Sequence, residues 1–270
     1  MKRVKTIAEL QASLVPLRGG ATVGLVPTMG AFHEGHLSLF RAAREECDAV
    51  VASLFVNPAQ FDEGTDFAAY PRDEARDTEL AAAAGVDILF APPAEELYPP
   101  GFQTWVDVEE LGRTLEGRFR PGHFRGVATI CLKLFNIVQP DRAYFGQKDA
   151  QQAAIVRRLV RDLNISVAIR VLPTVRDADG LALSSRNVRL SAEQRRQAQA
   201  LPLALATRDP NKARELLEGL EVDYLEVADF EPRVLAGAIR LGDIRLIDNV
   251  LLEDAVPGFN LAPPTEKGAT

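Results

Sequence analysis

The sequence predicts an α/β fold: a parallel sheet with helices on both faces, followed by a smaller C-terminal α+β domain. Three observations predict it. Residues 23–40 read as strand, turn and helix, the opening unit of a parallel sheet. Strand and helix patterns then alternate as far as residue 173, at the spacing of right-handed βαβ units. From Ser191 the alternation stops, and two helical stretches are followed by three strand patterns, the last two with no helix between them.

In chain order, residues 5–18 pattern as a short amphipathic helix through Ile7, Leu10 and Leu14, ending near Gly19 and Gly20. Val23 to Val26 is a short apolar run broken at Pro27. A loop with Gly30 and Gly35 follows, and Leu37, Leu39, Phe40 and Ala43 then recur at helical spacing. Asp48 to Val56 is nearly all apolar, as expected of a strand buried on both faces. A helix is predicted from Asp73 to Ala84, with Pro71 just before it and Gly85 just after. Val86 to Phe90 is the next strand. Residues 94–124 break the rhythm with a Gly- and Arg-rich loop and a predicted strand from Thr104 to Val108. Val127 to Val138 is an apolar helix, Arg142 to Gly146 a strand, Ala150 to Leu163 a helix, and Ser166 to Pro173 the last strand of the sheet.

After a polar loop, helices are expected from Ser191 to about Thr207 and from Asp209 to Leu220. Strands are expected over Val222–Val227, Gly237–Leu241 and Arg245–Leu252, the last two antiparallel. The domains divide as 1–176 and 177–256, with 257–270 expected to be a disordered tail rich in Pro, Gly and Thr.

Composition bounds the partners. A chain of 270 residues supports one large domain or two smaller ones. A formal charge of −7 argues against a nucleic-acid partner. Cys47 and Cys131 lie in apolar helical patterns without metal spacing and read as buried free thiols. Residues 1–17 carry charges throughout and lack the apolar core of a signal peptide, and no run of about 18 apolar residues suggests a membrane span. A cytoplasmic location is the expectation.

Chemistry concentrates at two strand–helix junctions. His33 and His36 stand three apart where a helix begins, so both lie on one face. A helix start offers free N–H groups and partial positive charge to a phosphate, and two imidazoles there can donate to oxygens that gain charge during phosphoryl or nucleotidyl transfer. The same spacing also suits a metal pair or two surface residues with no task, and spacing alone does not choose among them. At the second junction a strand ends in Gly146, Lys148 follows, and a helix begins. In open α/β sheets ligands bind at such carboxyl ends, and Lys148 supplies a mobile point charge. Ser184, Ser185 and Arg186 add two hydroxyls and a guanidinium on a loop.

Taken together, the ordered motifs resemble the pantothenate synthetase (pantoate–β-alanine ligase) family of the HIGH-motif nucleotidyltransferase superfamily. They are Pro27-Thr-Met-Gly30, His33-Glu-Gly-His36, Phe55-Val-Asn-Pro58 with Gln60 and Phe61, Tyr70-Pro-Arg72, Arg120-Pro-Gly-His-Phe-Arg-Gly126, Lys133-Leu-Phe-Asn136, Gly146-Gln-Lys-Asp149 with Gln151 and Gln152, and Asp179-Gly-Leu-Ala-Leu-Ser-Ser-Arg-Asn187. The match runs from about residue 23 to 190. The resemblance implies a Rossmann-like ATP domain with a small C-terminal lid and a homodimer. It implies an ATP- and Mg²⁺-dependent reaction in two steps: pantoate and ATP give pantoyl adenylate and pyrophosphate, and the amine of β-alanine then displaces AMP.

The resemblance also implies roles. Met29, Gly30, Ala31, Phe32, His33, Glu34, Gly35 and His36 run along the nucleotide, with His36 as proton donor or charge stabiliser. Gly146, Gln147, Lys148 and Asp149 approach ribose and phosphates. Val175 meets adenine through its backbone, and Leu183, Ser184, Ser185 and Arg186 complete the phosphate site. His33, His36 and Lys148 are the catalytic set, Gln60 and Gln152 hold pantoate, and Asp77 contacts Mg²⁺. Two other readings are a nucleotidyltransferase that stops after adenylylating a phosphorylated precursor, which has no need of Gln60 and Gln152, and a non-catalytic or tRNA-binding relative, which the acidic balance opposes.

Overall fold

The computed structural model describes residues 1–61 and 65–253. The first part of the chain runs β1 (Lys2–Val4), α1 (Ile7–Leu14), β2 (Val23–Thr28), α2 (Glu34–Glu46), β3 (Ala49–Leu54), α3 (Thr65–Ala69), α4 (Glu74–Ala83), β4 (Ile88–Phe90), α5 (Ala94–Leu97), α6 (Glu116–Phe119), α7 (His123–Val138), β5 (Arg142–Gly146), α8 (Ala150–Asp162) and β6 (Ala168–Leu172). The second part runs α9 (Ala192–Ala198), α10 (Ala200–Ala206), α11 (Pro210–Leu216), β7 (Glu221–Asp229), β8 (Arg233–Leu241) and β9 (Ile244–Leu251).

The first six strands form one parallel sheet in the order β1-β4-β3-β2-β5-β6. Alternation along the strands sends side chains to two cores. Leu25 and Val51 join Leu10 and Leu14 of α1, Leu134 and Phe135 of α7, and Ile155 of α8 on one face. Val26, Val50 and Ala52 join Leu39, Phe40 and Ala43 of α2 and Ala81 of α4 on the other. Full burial of a side chain such as Phe40 or Leu134 contributes about 1.5–3 kcal/mol. This is the Rossmann-like arrangement with both faces covered. Strand order reverses at β2, with β3 on one side of it and β5 on the other, so the crevice expected of such a sheet opens at the carboxyl ends of β2 and β5.

The second sheet is β7-β8-β9, antiparallel throughout; for its last two strands this is the expected pairing. Leu201, Leu205, Ala213 and Leu217 of the preceding helical region cover one face of it. Tyr224, Ala236 and Ala238 on the other face pack against Leu115, Ala150 and Ala154 of the first part. The two parts are thus joined by an apolar contact at the start of α8.

Several expectations are corrected. No strand forms over residues 104–108: the Val106 N–H donates to Thr129 Oγ1 at 3.0 Å, and Val106 and Val108 pack beside α7. The apolar alternation there serves helix contact. The predicted helix over residues 127–138 starts four residues earlier, at His123, behind Gly122 in a left-handed conformation. The helix expected over 5–18 is confined to α1 and a 3-10 turn over Val15–Leu17; Thr6 caps its start in a reciprocal pair with Glu9. The edge strand β1 has no strand signal in the sequence, because two of its three residues are exposed and charged. The tail over 257–270, and the end of the C-terminal domain at 256, lie outside the described residues.

Candidate active site

The loop leaving β2 is held from below by Asp77, which is 1 % exposed. Its two oxygens accept the Ala31 N–H at 2.8 Å and the Phe32 N–H at 2.7 Å. Phe32 is fully buried and meets the Phe40 ring edge-on at 5.1 Å. The loop therefore delivers His33 to the N-cap of α2. There the Gly35 N–H donates to His33 Nδ1 at 3.2 Å, and the His33 N–H donates to His36 Nδ1 at 3.4 Å. A Cβ on Gly35 would lie 2.9 Å from His33 Cε1, so this cap requires glycine.

These bonds fix the chemistry of both rings. Each Nδ1 accepts a backbone N–H and carries no proton, so each Nε2 carries one and is a donor. Burial, reinforced by the Lys148 charge, lowers the His33 pKa to about 4. Burial and the neighbouring His33 lower His36 to about 3. At neutral pH the pair is two uncharged hydrogen-bond donors, with ring centroids 4.3 Å apart. The cationic form that a literal proton donor needs is strongly disfavoured.

The chain leaves β5 across the switch point. Gly146, Lys148 and Asp149 line the same cleft as His33 and His36. Lys148 Nζ lies 3.5 Å from Asp149 Oδ1. Burial raises the Asp149 carboxyl, but Lys148, Arg186 and His123 outweigh it and hold the group below its ordinary pKa. Over the cleft runs the loop after β6. The Leu183 N–H bonds to the Val175 carbonyl at 3.0 Å, and Val175, Leu183, Ser184, Ser185 and Arg186 all face the cavity. Tyr70 enters from the other side; burial raises its phenol pKa, against a hydrogen bond from Ser185.

Gln60 is placed by a tight approach of two backbones. A Cβ on Gly126 would fall 2.2 Å from the Ala59 carbonyl oxygen, so only glycine lets α7 lie this close. Asn57 Nδ2 donates to Gln60 Oε1 at 3.0 Å and to the Gly126 carbonyl at 3.2 Å. Gln60 Nε2 rests 3.0 Å from Met29 Sδ, a weak acceptor that a ligand oxygen can replace. His123 Nδ1–H donates to the Gln60 carbonyl at 2.7 Å, while Arg120 Nη1 lies 3.3 Å from His123 Nε2. Burial, with Arg120 beside it, lowers His123 to about 4. Gln152 faces the same cavity, beside an apolar wall of Val127, Ile130 and Cys131.

Of the residues expected from sequence, Met29, His33, Gly35, His36, Gln60, Gly146, Lys148, Asp149, Gln152, Val175, Leu183, Ser184, Ser185 and Arg186 line one cleft of about 230 Å³. Six do not. Gly30, Ala31 and Phe32 form the loop that Asp77 holds. Glu34 pairs with Arg41 on the outer face of α2. Gln147 turns away: its Nε2 donates to Asn249 Oδ1 of β9 at 2.7 Å, and Asn249 Nδ2 returns bonds to the Gln147 and Lys148 carbonyls. It clamps the second sheet to the first. Asp77 does not fit an ion contact, because its carboxylate is enclosed and engaged by two backbone N–H groups. Among the described residues no group of three His, Cys, Asp or Glu side chains is arranged to hold a metal.

Asn57, Tyr70, Arg120 and His123 also line the cleft and have no role assigned from sequence. All four lie inside the quoted motifs, so the signal is present. Their side-chain directions are not legible there.

Known proteins resemble this chain over nearly its whole length. A family model described as pantoate-beta-alanine ligase matches residues 2–251. Pantothenate synthetase of Heliobacterium modesticaldum is 51% identical, over 94% of this chain and 100% of that protein. The protein of the same name from Moorella thermoacetica is 51% identical, over 94% and 99%. The crystal structure of pantothenate synthetase from Thermus thermophilus superposes with a TM-score of 0.88 at 46% identity, covering 93% of this chain and 99% of that one. Pantoate-beta-alanine ligase from Francisella tularensis, solved with beta-gamma ATP and beta-alanine, gives 0.84 at 35% identity, covering 94% and 99%.

Proposed function

The chain belongs to the pantoate–β-alanine ligase family, and from that premise we propose how its own residues carry the reaction. The reaction joins (R)-pantoate to β-alanine with ATP as co-substrate. A pantoate carboxylate oxygen attacks the α-phosphorus, and the bond to the β-phosphate breaks with its electron pair leaving on pyrophosphate. The amine of β-alanine then attacks the acyl carbon of pantoyl adenylate, AMP leaves, and the amine loses a proton to give pantothenate. Adenylation is needed because a carboxylate has no adequate leaving group of its own.

In our reading the Nε2–H groups of His33 and His36, with the free N–H groups at the start of α2, stabilise charge developing on the α-phosphate. Lys148, Ser184, Ser185 and Arg186 receive the charge that accumulates on the β- and γ-phosphates. Val175 offers its backbone to adenine. Gln60 and Gln152 bind the carboxylate and hydroxyl of pantoate, since an amide both donates and accepts. The methyl groups of pantoate face Val127, Ile130 and Cys131. The observation that carries the reading is the convergence, in one cleft at the switch point, of two neutral donors from the β2–α2 junction, a lysine from the β5–α8 junction and the Ser-Ser-Arg loop.

Mg²⁺ is proposed as a companion of ATP, with no protein ligand assigned. A division at residues 176 and 177 and a cytoplasmic location are proposed from the sequence patterns, and a lid role for the second part and a homodimer from the resemblance. Light scattering tests the dimer. Among the described residues no helix is long and apolar enough to cross a membrane. The deciding assay supplies ATP, Mg²⁺, pantoate and β-alanine and follows AMP and pantothenate. Pyrophosphate released without pantoate, or pantoate-dependent adenylation with no pantothenate formed, overturns the reading.

A further inference from the structure

Beyond Lys148 and Arg186 the cleft continues into a second, larger chamber of about 680 Å³ between the two parts of the chain. Arg120, Lys148, Asp149, Ser184 and Arg186 border both spaces, so the chamber opens from the phosphate end of the cleft. Six cationic side chains face it against four carboxylates. Most charges contributed by the second part are already engaged. Arg240 Nε lies 2.8 Å from Asp223, and Arg245 lies 2.5 Å from Asp223 and 2.6 Å from Glu116. Asp248 is held by Arg176 at 2.6 Å.

Arg189 differs. It is exposed, it lines the chamber and not the cleft, and its guanidinium has no ion pair among the described residues. It ends the 3-10 turn Asn187–Arg189, where its N–H bonds to the Arg186 carbonyl at 3.0 Å. Residues three apart eclipse in such a turn, so Arg186 and Arg189 lie on one side of it, the first at the boundary and the second beyond.

We propose that this chamber is the acceptor site for inorganic pyrophosphate leaving the adenylation step, and that Arg189 binds the departing anion there. The proposal rests on the reaction assigned above. When the bond between the α-phosphorus and the bridging oxygen breaks, pyrophosphate takes the electron pair and gains charge. It then moves from cations shared with ATP to one that ATP does not share. A guanidinium suits this task because its planar fork bonds two phosphate oxygens at once. Asp243 also lines the chamber and limits retention, so the site passes the anion on toward solvent.

The test is pantoate-dependent exchange of labelled pyrophosphate into ATP, with Mg²⁺ and without β-alanine. Arg189→Gln is expected to raise half-saturating pyrophosphate by about five- to twentyfold, the size of one charge-assisted contact at an exposed site. Half-saturating ATP and pantoate stay within about twofold. Arg189→Lys keeps the charge and recovers part of the loss. Lys212→Gln, an exposed charge removal on α11, behaves as wild type. If Arg189→Gln tracks Lys212→Gln, or if ATP shifts as far as pyrophosphate, the proposal is wrong. A wild-type enzyme with no exchange and no pantothenate synthesis removes the assigned reaction itself, whereas pantothenate synthesis with unshifted pyrophosphate dependence removes only the role of Arg189.

Discussion

Replacing Asp77 with Asn separates two tasks for one carboxylate. The resemblance makes it a Mg²⁺ contact; its surroundings make it the clamp of the loop that carries His33. Asn preserves the shape but keeps one acceptor oxygen, so either the Ala31 or the Phe32 N–H then faces an NH₂ group. The lost charge-assisted bond is worth about 1.5–3 kcal/mol and the orphaned buried donor about 1–3 kcal/mol; because the two overlap, the expected loss is about 2–4 kcal/mol. In a chain of this size each kcal/mol moves Tm by about 2–4 °C, so Tm should fall by about 5–15 °C.

Calorimetry reads that shift, and a Mg²⁺ titration of pantothenate synthesis reads the other task. With Asp77 as clamp, kcat falls because the loop presenting His33 loosens, while half-activating Mg²⁺ stays within about twofold of wild type. A variant with unchanged Tm but a tenfold rise in half-activating Mg²⁺ would refute the reasoning, because a carboxylate bonded to two backbone donors cannot be removed silently.

Three further outcomes are expected. His33→Ala and Lys148→Ala should each slow adenylate formation by about 10²–10³-fold and affect β-alanine attack on preformed pantoyl adenylate much less; single-turnover measurements that find equal losses in both half-reactions count against the assignment. Gln60→Ala should raise KM for pantoate more than KM for ATP, and the reverse order would move Gln60 out of the acid subsite. Stability should fall on acidification, because His33 and His123, at about 4, and His36, at about 3, stay neutral in the folded state while the unfolded chain protonates them below about 6.5. Their contribution is complete above that pH and is lost as pH falls toward the folded values. His123 alone contributes a loss of about 2 kcal/mol at pH 5, so His123→Gln should lose less stability than wild type between pH 7 and 5, and an equal loss would contradict the sign.

The elements legible in sequence are those whose signals are local. The β2–α2 junction declares itself through an apolar run, a proline and a helical repeat within 20 residues. The antiparallel β8–β9 pair follows from having no helix between its strands. The first turn of α7 is hidden because Pro121, Gly122 and Gly126 read as a loop, whereas Gly126 is there so that the Ala59 carbonyl can come close. Gln147 matches a nucleotide-site motif, yet its side chain bonds Asn249, a partner 102 residues away that no local pattern reveals. Asp77 enters as a Mg²⁺ contact through the resemblance alone, since nothing in its neighbourhood shows that two N–H groups from a loop 45 and 46 residues earlier close around it.

The neutral state of the two imidazoles also bears on why this cleft can wait empty for its substrates. A cationic His33 beside Lys148 and at the positive end of α2 would add like charge to like charge in a half-buried space, with Asp149 the near counter-charge. Burial and Lys148 avoid that by keeping the ring uncharged, and the Gly35 N–H fixes which nitrogen keeps its proton. An uncharged donor needs no counter-ion in the free enzyme and no proton exchange on binding. Permanent charge is placed instead on Lys148 and Arg186, which border both the cleft and the larger chamber. The division follows from solvation: a neutral donor in the half-buried α2 end loses little on leaving water, whereas a second cation beside Lys148 would lose much.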